Sequence, residues 1–329
     1  MEKTISLAHG NGGRLMHELV GSLRFKFSNK ILDELSDAAE LRIGNKRFAF
    51  TTDSYVVKPI FFPGGDIGKL SVFGTVNDLS MKGARPLYIS LSFIIEEGFA
   101  LSQFYKIADS IRQAANAAKV LVVTGDIKVV EKCACDKLFI NTSGIGVITH
   151  KDIYISSKAK INDSIIINGP IAEHGMAILN ARDKLGFQSG IKSDCRNLNF
   201  EVQSCLLATK KISVLRDPTR GGLATTLNEI ARTSNLGIEI YEKEIPITLS
   251  VRRLCDILGF DPLYVPNEGK FVCFVDEKEA SKVKKASSGK ARVIGRVTKA
   301  HKGEVYLRTQ LGTGRIIPML EVDQLPRIC

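Results

Sequence analysis

Apolar and polar residues recur along this chain with two periods, and each period predicts an element. RFAFTTDSYVV (47–57), rich in β-branched and aromatic residues, predicts a strand. PGGD (63–66) punctuates it. From Asp66 to Met81 apolar residues fall at 67, 70, 73, 76 and 79–81, which predicts a helix with Asp66 as its N-cap or first-turn acid. LYISLSFIIEE (87–97) predicts a strand, 101–119 an amphipathic helix, and VLVVTGD (120–126) a strand. LFINTSGIGVI (138–148) predicts another, with a bend expected at its glycines.

The pattern then restarts. A strand is expected at 164–170, and helices at 172–185, 201–211, 222–234 and 249–258. Further strands are expected at 237–241, 263–266 and 270–275, and a hairpin over 291–308. KDIYISSKAKIND, near 150–162, is polar and without a strong period, so the main boundary falls there. Four segments follow: a glycine-rich stretch 1–35, an α+β region 36–155, a second α+β region 156–317, and a tail 318–329. Strands and helices alternate without a dinucleotide-binding glycine fingerprint, which argues for α+β architecture with mixed or antiparallel sheets.

The chain has 329 residues, 44% hydrophobic and 25% charged, ordinary values for a globular protein long enough for two cores. No apolar run reaches the ~18 residues of a membrane span, and MEKTISLAHGNGG has no secretory h-region. Seven scattered cysteines form no disulfide framework and fit a reducing, cytoplasmic setting. The net charge of +11 would suit nucleic acid, but no basic stretch is interleaved with aromatics and no basic tail exists, so nucleic acid is not expected as a partner.

The candidate chemistry lies in acids beside glycines or strand ends: TTD (51–53), PGGD (63–66), VND (76–78), TGD (124–126), RDPTRGG (216–222) and PNEG (266–269). Carboxylates converging from separate elements hold Mg²⁺ against a nucleotide's phosphates, and glycines let backbone N–H groups approach those phosphates. Each segment alone reads more readily as a turn residue or a cap. HGNGGR (9–14) fits a flap over phosphates, with Arg14 helping, or a loose terminus. No GxxxxGK[ST] occurs, which excludes a Walker-type site. CAC (133–135) lacks further ligands at metal spacing and reads as a loop. His174, in AEHG, reads as a helix-terminus residue.

LAHGNGGR, the block TTDSYVVKPIFFPGGDIGKLSVFGTVNDLSMKGARP (51–86), TGDIKVV, RDPTRGGLATTLNEIA, PNEG and the terminal PRIC together resemble, in order, the HypE family of hydrogenase maturation proteins. That family sits in the superfamily of aminoimidazole ribonucleotide synthetase and selenophosphate synthetase. The missing cysteine in HGNGGR argues against the latter. The resemblance implies a two-domain α+β fold whose N-terminal domain pairs with a second copy into a barrel-like homodimer core, with a flexible tail. It implies ATP and Mg²⁺ as cofactors. It further implies that a HypF carbamoyltransferase loads Cys329, that the S-carbamoyl group is dehydrated to a thiocyanate with ATP, and that the cyano group passes to an iron centre on HypC–HypD.

By match to those motifs Asp53, Asp78, Asp126 and Asp217 are implied to bind metal and phosphate. Lys128 is implied to hold phosphate or the amide oxygen, and Glu268 to be the base, a task that needs its pKa raised. Asn77, Asn267, Lys69, Arg220, Gly12 and Gly13 are implied around the nucleotide. Asn11 and Ile127 depart from the expected pattern. From Pro318 the tail spans up to ~40 Å when extended, with Pro326 stiffening it. Two alternatives remain: a non-catalytic carrier in the maturation complex, or a ligase of the superfamily acting on a free small molecule.

Overall fold

The computed structural model describes residues 4–10, 12–34, 36–150, 155–182, 190–287, 289–321, 325 and 327–329. The first half runs α1 (Arg14–Phe27), β1 (Ala39–Ile43), β2 (Lys46–Tyr55), β3 (Phe61–Phe62), β4 (Gly65–Asp66), α2 (Ile67–Met81), β5 (Arg85–Glu96), α3 (Leu101–Ala118), β6 (Leu121–Val130) and β7 (Leu138–Ile148). The second runs β8 (Asp163–Ile167), α4 (Glu173–Arg182), α5 (Asn199–Ala208), β9 (Ile212–Arg216), α6 (Gly222–Ser234), β10 (Gly237–Tyr241), α7 (Leu249–Leu258), β11 (Val272–Asp276), α8 (Ala280–Ala286), β12 (Arg292–Thr298), β13 (Val305–Arg308) and β14 (Gly314–Ile317). The first sheet has the order β1-β2-β7-β5-β6 and the second β14-β13-β10-β12-β8-β11-β9, each with one parallel pair among antiparallel ones. The first sheet is open in the single chain, with β6 on its edge.

Helix α2 is the hinge of this arrangement. Asp66 caps it, its carboxylate accepting the Lys69 N–H at 2.9 Å. Only Lys69 and Asp78 of the helix escape full burial, because the helix has protein on every side. Two glycines permit this. A Cβ on Gly74 would stand 2.2 Å from the Tyr55 hydroxyl, and one on Gly144 in β7 would stand 2.6 Å from Thr75. Gly144 of β7 therefore admits the helix; the register with β2 is unbroken, and the irregularity beside the glycines lies in β5, between Pro86 and Tyr88. One apolar cluster runs from α2 and α3 through the second sheet to Leu325 and Ile328.

Several expectations change. Residues 262–264 form a single 3-10 turn, not a strand, because Asp261 caps it and Pro262 favours its first position. Residues 291–308 are not a hairpin: β12 and β13 lie on opposite sides of β10, a long-range pairing that strand periodicity does not encode. TTD and TGD lie inside β2 and β6, not beyond strand ends, since pairing with β7 and β5 continues past them. HGNGGR leads into the helix α1, and Arg14 pairs with Glu18 at 3.1 Å. Strands β1, β9 and β14 were not expected. Asn11, Pro326, residues 183–185 of the expected helix and 151–154 of the expected boundary lie outside the described residues.

Candidate active site

Three parts of the chain enclose a cavity of about 280 Å³. Strand β2 contributes Thr51, Thr52, Asp53 and Tyr55, and helix α2 contributes Gly74 and Asp78. The RDPTRGG turn before α6 contributes Arg216, Asp217, Thr219 and Arg220. Glu268, Gly12, His17, Asp37, Glu229 and Cys329 are also part of the lining. The strand alternation of β2 and the position of Asp78 one face round α2 bring the two carboxylates into the same wall. Thr51 Oγ1 donates to Asp78 at 2.9 Å, and the Tyr55 hydroxyl donates to Asp53 at 3.1 Å.

Burial raises the carboxyls of Asp53, Asp78, Asp217 and Glu268 above their ordinary range. The acids also raise one another: Asp78 responds to Asp53, Asp217 and Asp37, and Glu268 to Asp217, Asp194 and Asp53. Burial lifts Asp37 to about 6, against the pull of Arg216. A cationic frame stands behind them. Arg216 Nη2 meets Glu229 at 2.8 Å, and His17 meets the other Glu229 oxygen at 3.1 Å. Arg216 Nε lies 2.7 Å from Asp37, an ion pair without hydrogen-bond alignment. Burial pushes Glu229 up, but the His17 hydrogen bond and the Arg216 charge together hold it below its usual value. Arg220 stands exposed at the rim, held charged first by Cys329 and then by Asp53, Asp78 and Glu268.

Among the described residues no three His, Cys, Asp or Glu side chains cluster tightly enough to cage a metal. Separate, mutually repelling carboxylates, with one buried Asp37 oxygen lacking a hydrogen-bond partner, still fit Mg²⁺. That ion takes one or two protein oxygens and completes its octahedron with phosphates and water.

The resemblance implies a flexible tail; in this structure its last residues are docked. The Val56 N–H donates to a Cys329 main-chain oxygen at 3.0 Å and the Lys58 N–H to the Arg327 carbonyl at 3.2 Å. Arg327 meets Asp136 at 2.8 Å, and the Ile328 side chain is buried in the core. Apolar burial of Ile328 together with strand-like pairing favours this docked arrangement.

Of the implied residues, the cavity gathers Asp53, Asp78, Asp217, Glu268, Arg220, Gly12 and Cys329. Gly13 backs onto Glu321, and Lys69 donates to the Gly64 carbonyl at 2.8 Å. Asn77 and Asn267 are engaged by main chain: Asn77 Oδ1 accepts the Leu198 N–H at 2.9 Å, and Asn267 Oδ1 the Ala172 N–H at 2.7 Å. Asp126 and Lys128 lie elsewhere, exposed on β6 and paired with each other at 2.6 Å.

Models of the AIR synthase related proteins match the chain twice, the N-terminal domain over 35–148 and the C-terminal domain over 160–308. The carbamoyl dehydratase HypE of Rhodobacter capsulatus is 44% identical over 336 aligned residues, spanning 100% of this chain and 99% of that one. The chain belongs to the HypE family. A HypE structure solved with ATP shares 45% identity and a TM-score of 0.82, covering 99% of this chain and 100% of that one. The structure of a HypE–HypF complex gives a TM-score of 0.86 at 43% identity, covering 93% of this chain and 100% of the other. The HypE fold of two AIR synthase-related domains is therefore the fold of this chain.

Sequence reasoning missed the frame of this HypE-family site. Arg216 adjoins Asp217 in a segment already singled out, and Glu229 lies in the same block, so their proximity was available as a signal. Asp37 and His17 carried no motif, and only the fold brings them to Arg216 and Glu229.

Proposed function

We propose that this chain is an ATP-dependent carbamoyl dehydratase whose substrate is carried on its own Cys329. The observation that carries the reading is the docking of Cys329 in a cavity lined by Asp53, Asp78, Asp217, Glu268 and Arg220. An amide oxygen leaves poorly, so the S-carbamoyl oxygen first takes the γ-phosphoryl group of ATP and ADP departs. The C–O bond then breaks with phosphate as leaving group. The nitrogen gives up its two protons, one to Glu268 and one to solvent, and two of the electron pairs left on it complete the C≡N bond on sulfur. Asp53, Asp78 and Asp217 are the residues that would hold Mg²⁺, which would supply charge neutralisation at the phosphates. Arg220 steadies negative charge at the rim. Glu268, its affinity for protons raised by burial and by neighbouring acids, accepts a proton from nitrogen. Tethering through the tail supplies effective concentration.

The same reading takes a HypF carbamoyltransferase as donor of the carbamoyl group and HypC–HypD as acceptor of cyanide for a [NiFe] centre, in the cytoplasm. It takes a homodimer as the working state. What supports pairing is edge strand β6, where Leu121, Val123, Ile127 and Val129 are apolar and each 55–66% exposed. Asp126 and Lys128 would then join a site through the second copy.

The test is intact mass after incubation with a competent HypF, carbamoyl phosphate and Mg-ATP, beside Cys329→Ala. A carbamoyl adduct that then loses one water, absent in the variant, is the expected result. An adduct that never loses water makes the chain a carrier only. No adduct at all points to a free small-molecule substrate.

A further inference from the structure

His174 is the one buried histidine among the described residues, and the chemistry above gives it no part. It is fully buried, with Nδ1 2.7 Å from Ser193 Oγ and Nε2 3.0 Å from the Ile328 carbonyl. The proton inventory settles its tautomer. Ser193 Oγ already accepts the Cys195 N–H at 3.0 Å, so its own hydrogen is free to point at Nδ1. Nδ1 is then the acceptor, and the ring proton sits on Nε2 and donates to the carbonyl. Burial holds the ring neutral, which keeps this single arrangement. The ring edge packs against Phe62 at a centroid distance of 5.7 Å, fixing its plane.

The carbonyl that His174 grips belongs to the residue before the carrier cysteine. The rest of the AEHG stretch is built toward the same end. A Cβ on Gly175 would stand 2.5 Å from Val265 and 3.4 Å from Leu325, so its absence lets PNEG and the tail close together. The Gly175 N–H donates to the Pro266 carbonyl at 3.1 Å and the Ala172 N–H to Asn267 at 2.7 Å. One turn thus holds the tail on one side and the segment bearing Glu268 on the other.

We propose that His174, relayed through Ser193, is a positioning residue that seats the tail at Ile328 and sets the Cys329 cargo in register with Glu268. This rests on the carrier reading above and adds to it the element that receives the loaded tail.

The experiment uses the full-length protein and His174→Ala, His174→Gln and Ser193→Ala. Each is loaded by HypF without ATP for the second step, then given Mg-ATP, and water loss is followed by intact mass. Expected is roughly tenfold slower dehydration in His174→Ala, the loss of one hydrogen bond to a buried carbonyl. Loading rate and ATP affinity should be unchanged, Ser193→Ala should lie between, and His174→Gln, which keeps a donor, should recover most of the rate. Dehydration at the unmodified rate, or loading and ATP affinity falling in step with it, overturns the proposal. Maleimide labelling of Cys329, mapped by peptide, decides the matter independently of turnover. Unseating should speed it several-fold in His174→Ala, and equal labelling overturns the seat. If the unmodified protein takes the carbamoyl group but never dehydrates it, the dehydratase reading fails, while the labelling comparison still judges His174.

Discussion

The cavity wall and the face of β6 carry the same residue type in opposite surroundings. Asp53, Asp78, Asp217 and Glu268 sit within protein, among one another, and burial with mutual repulsion raises their proton affinity. Asp126 stands in solvent on an edge strand, where the Lys128 hydrogen bond, then that from the Ile127 N–H, lowers its pKa. All five come from motifs that look alike in sequence, an acid near a glycine or a strand end. The difference teaches that the motif supplies only the oxygen donors. Desolvation decides whether those donors are poised to take a cation or a proton, or are already satisfied.

The sharpest way to break this contrast is Glu268→Gln. Removing the proposed base should slow dehydration of preloaded protein by about 10²–10⁴-fold with loading by HypF intact. A rate within a fewfold of normal, measured by intact mass, would move the base elsewhere. A smaller effect is expected from charging exposed apolar residues of β6. If the chain pairs through β6 as proposed and Asp126 and Lys128 act through the second copy, Val123→Lys with Val129→Lys should leave a monomer in sedimentation experiments and lower dehydration at least roughly tenfold. Full activity in a monomer would confine the site to one chain.

Asp78→Asn should trade function for stability. A carboxyl whose pKa is raised on folding stabilises the folded chain below its unfolded pKa and loses that contribution as pH climbs through the folded value. For Asp37, lifted from 3.8 to about 6, the loss falls between those values, and Asp78 shifts in the same direction. Without nucleotide, the Tm of Asp78→Asn should match the unmodified protein near pH 4 and exceed it by roughly a few degrees near pH 8, while Mg-ATP binding weakens. A gap that closes with rising pH would contradict the sign. The smallest effect is that of Asp126→Asn, which should leave Tm unchanged within scatter because an exposed pair contributes little.

Legibility followed the range of the forces involved. Helices α2, α3, α6 and α7 were readable because a 3.6-residue period over ten or more positions is written locally, as were β2, β5 and β7 with their β-branched runs. The length of β6, the flanking of β10 by β12 and β13, and the 3-10 turn at Pro262 were not, since each depends on a partner strand or a cap supplied by the fold. In the site, Asp53, Asp78, Asp217, Glu268 and Arg220 were readable as candidates. Their company was not: Asp37 and His17 carry no motif, and Asn77 and Asn267 look like ligands yet hold main chain together.

The amino-acid sequence by itself determined the inventory: two α+β halves, a family signature spread over the whole chain, a set of acids and a terminal thiol. Tertiary structure decided which of these meet. It placed α2 against β2 and β7 through Gly74 and Gly144, and so put Asp78 beside Asp53. It buried Ile328 and drew Cys329 into the cavity, with His174 holding the carbonyl between them. The physical reason is that identity and period are local properties of a chain, whereas desolvation and register arise only when distant segments exclude water together.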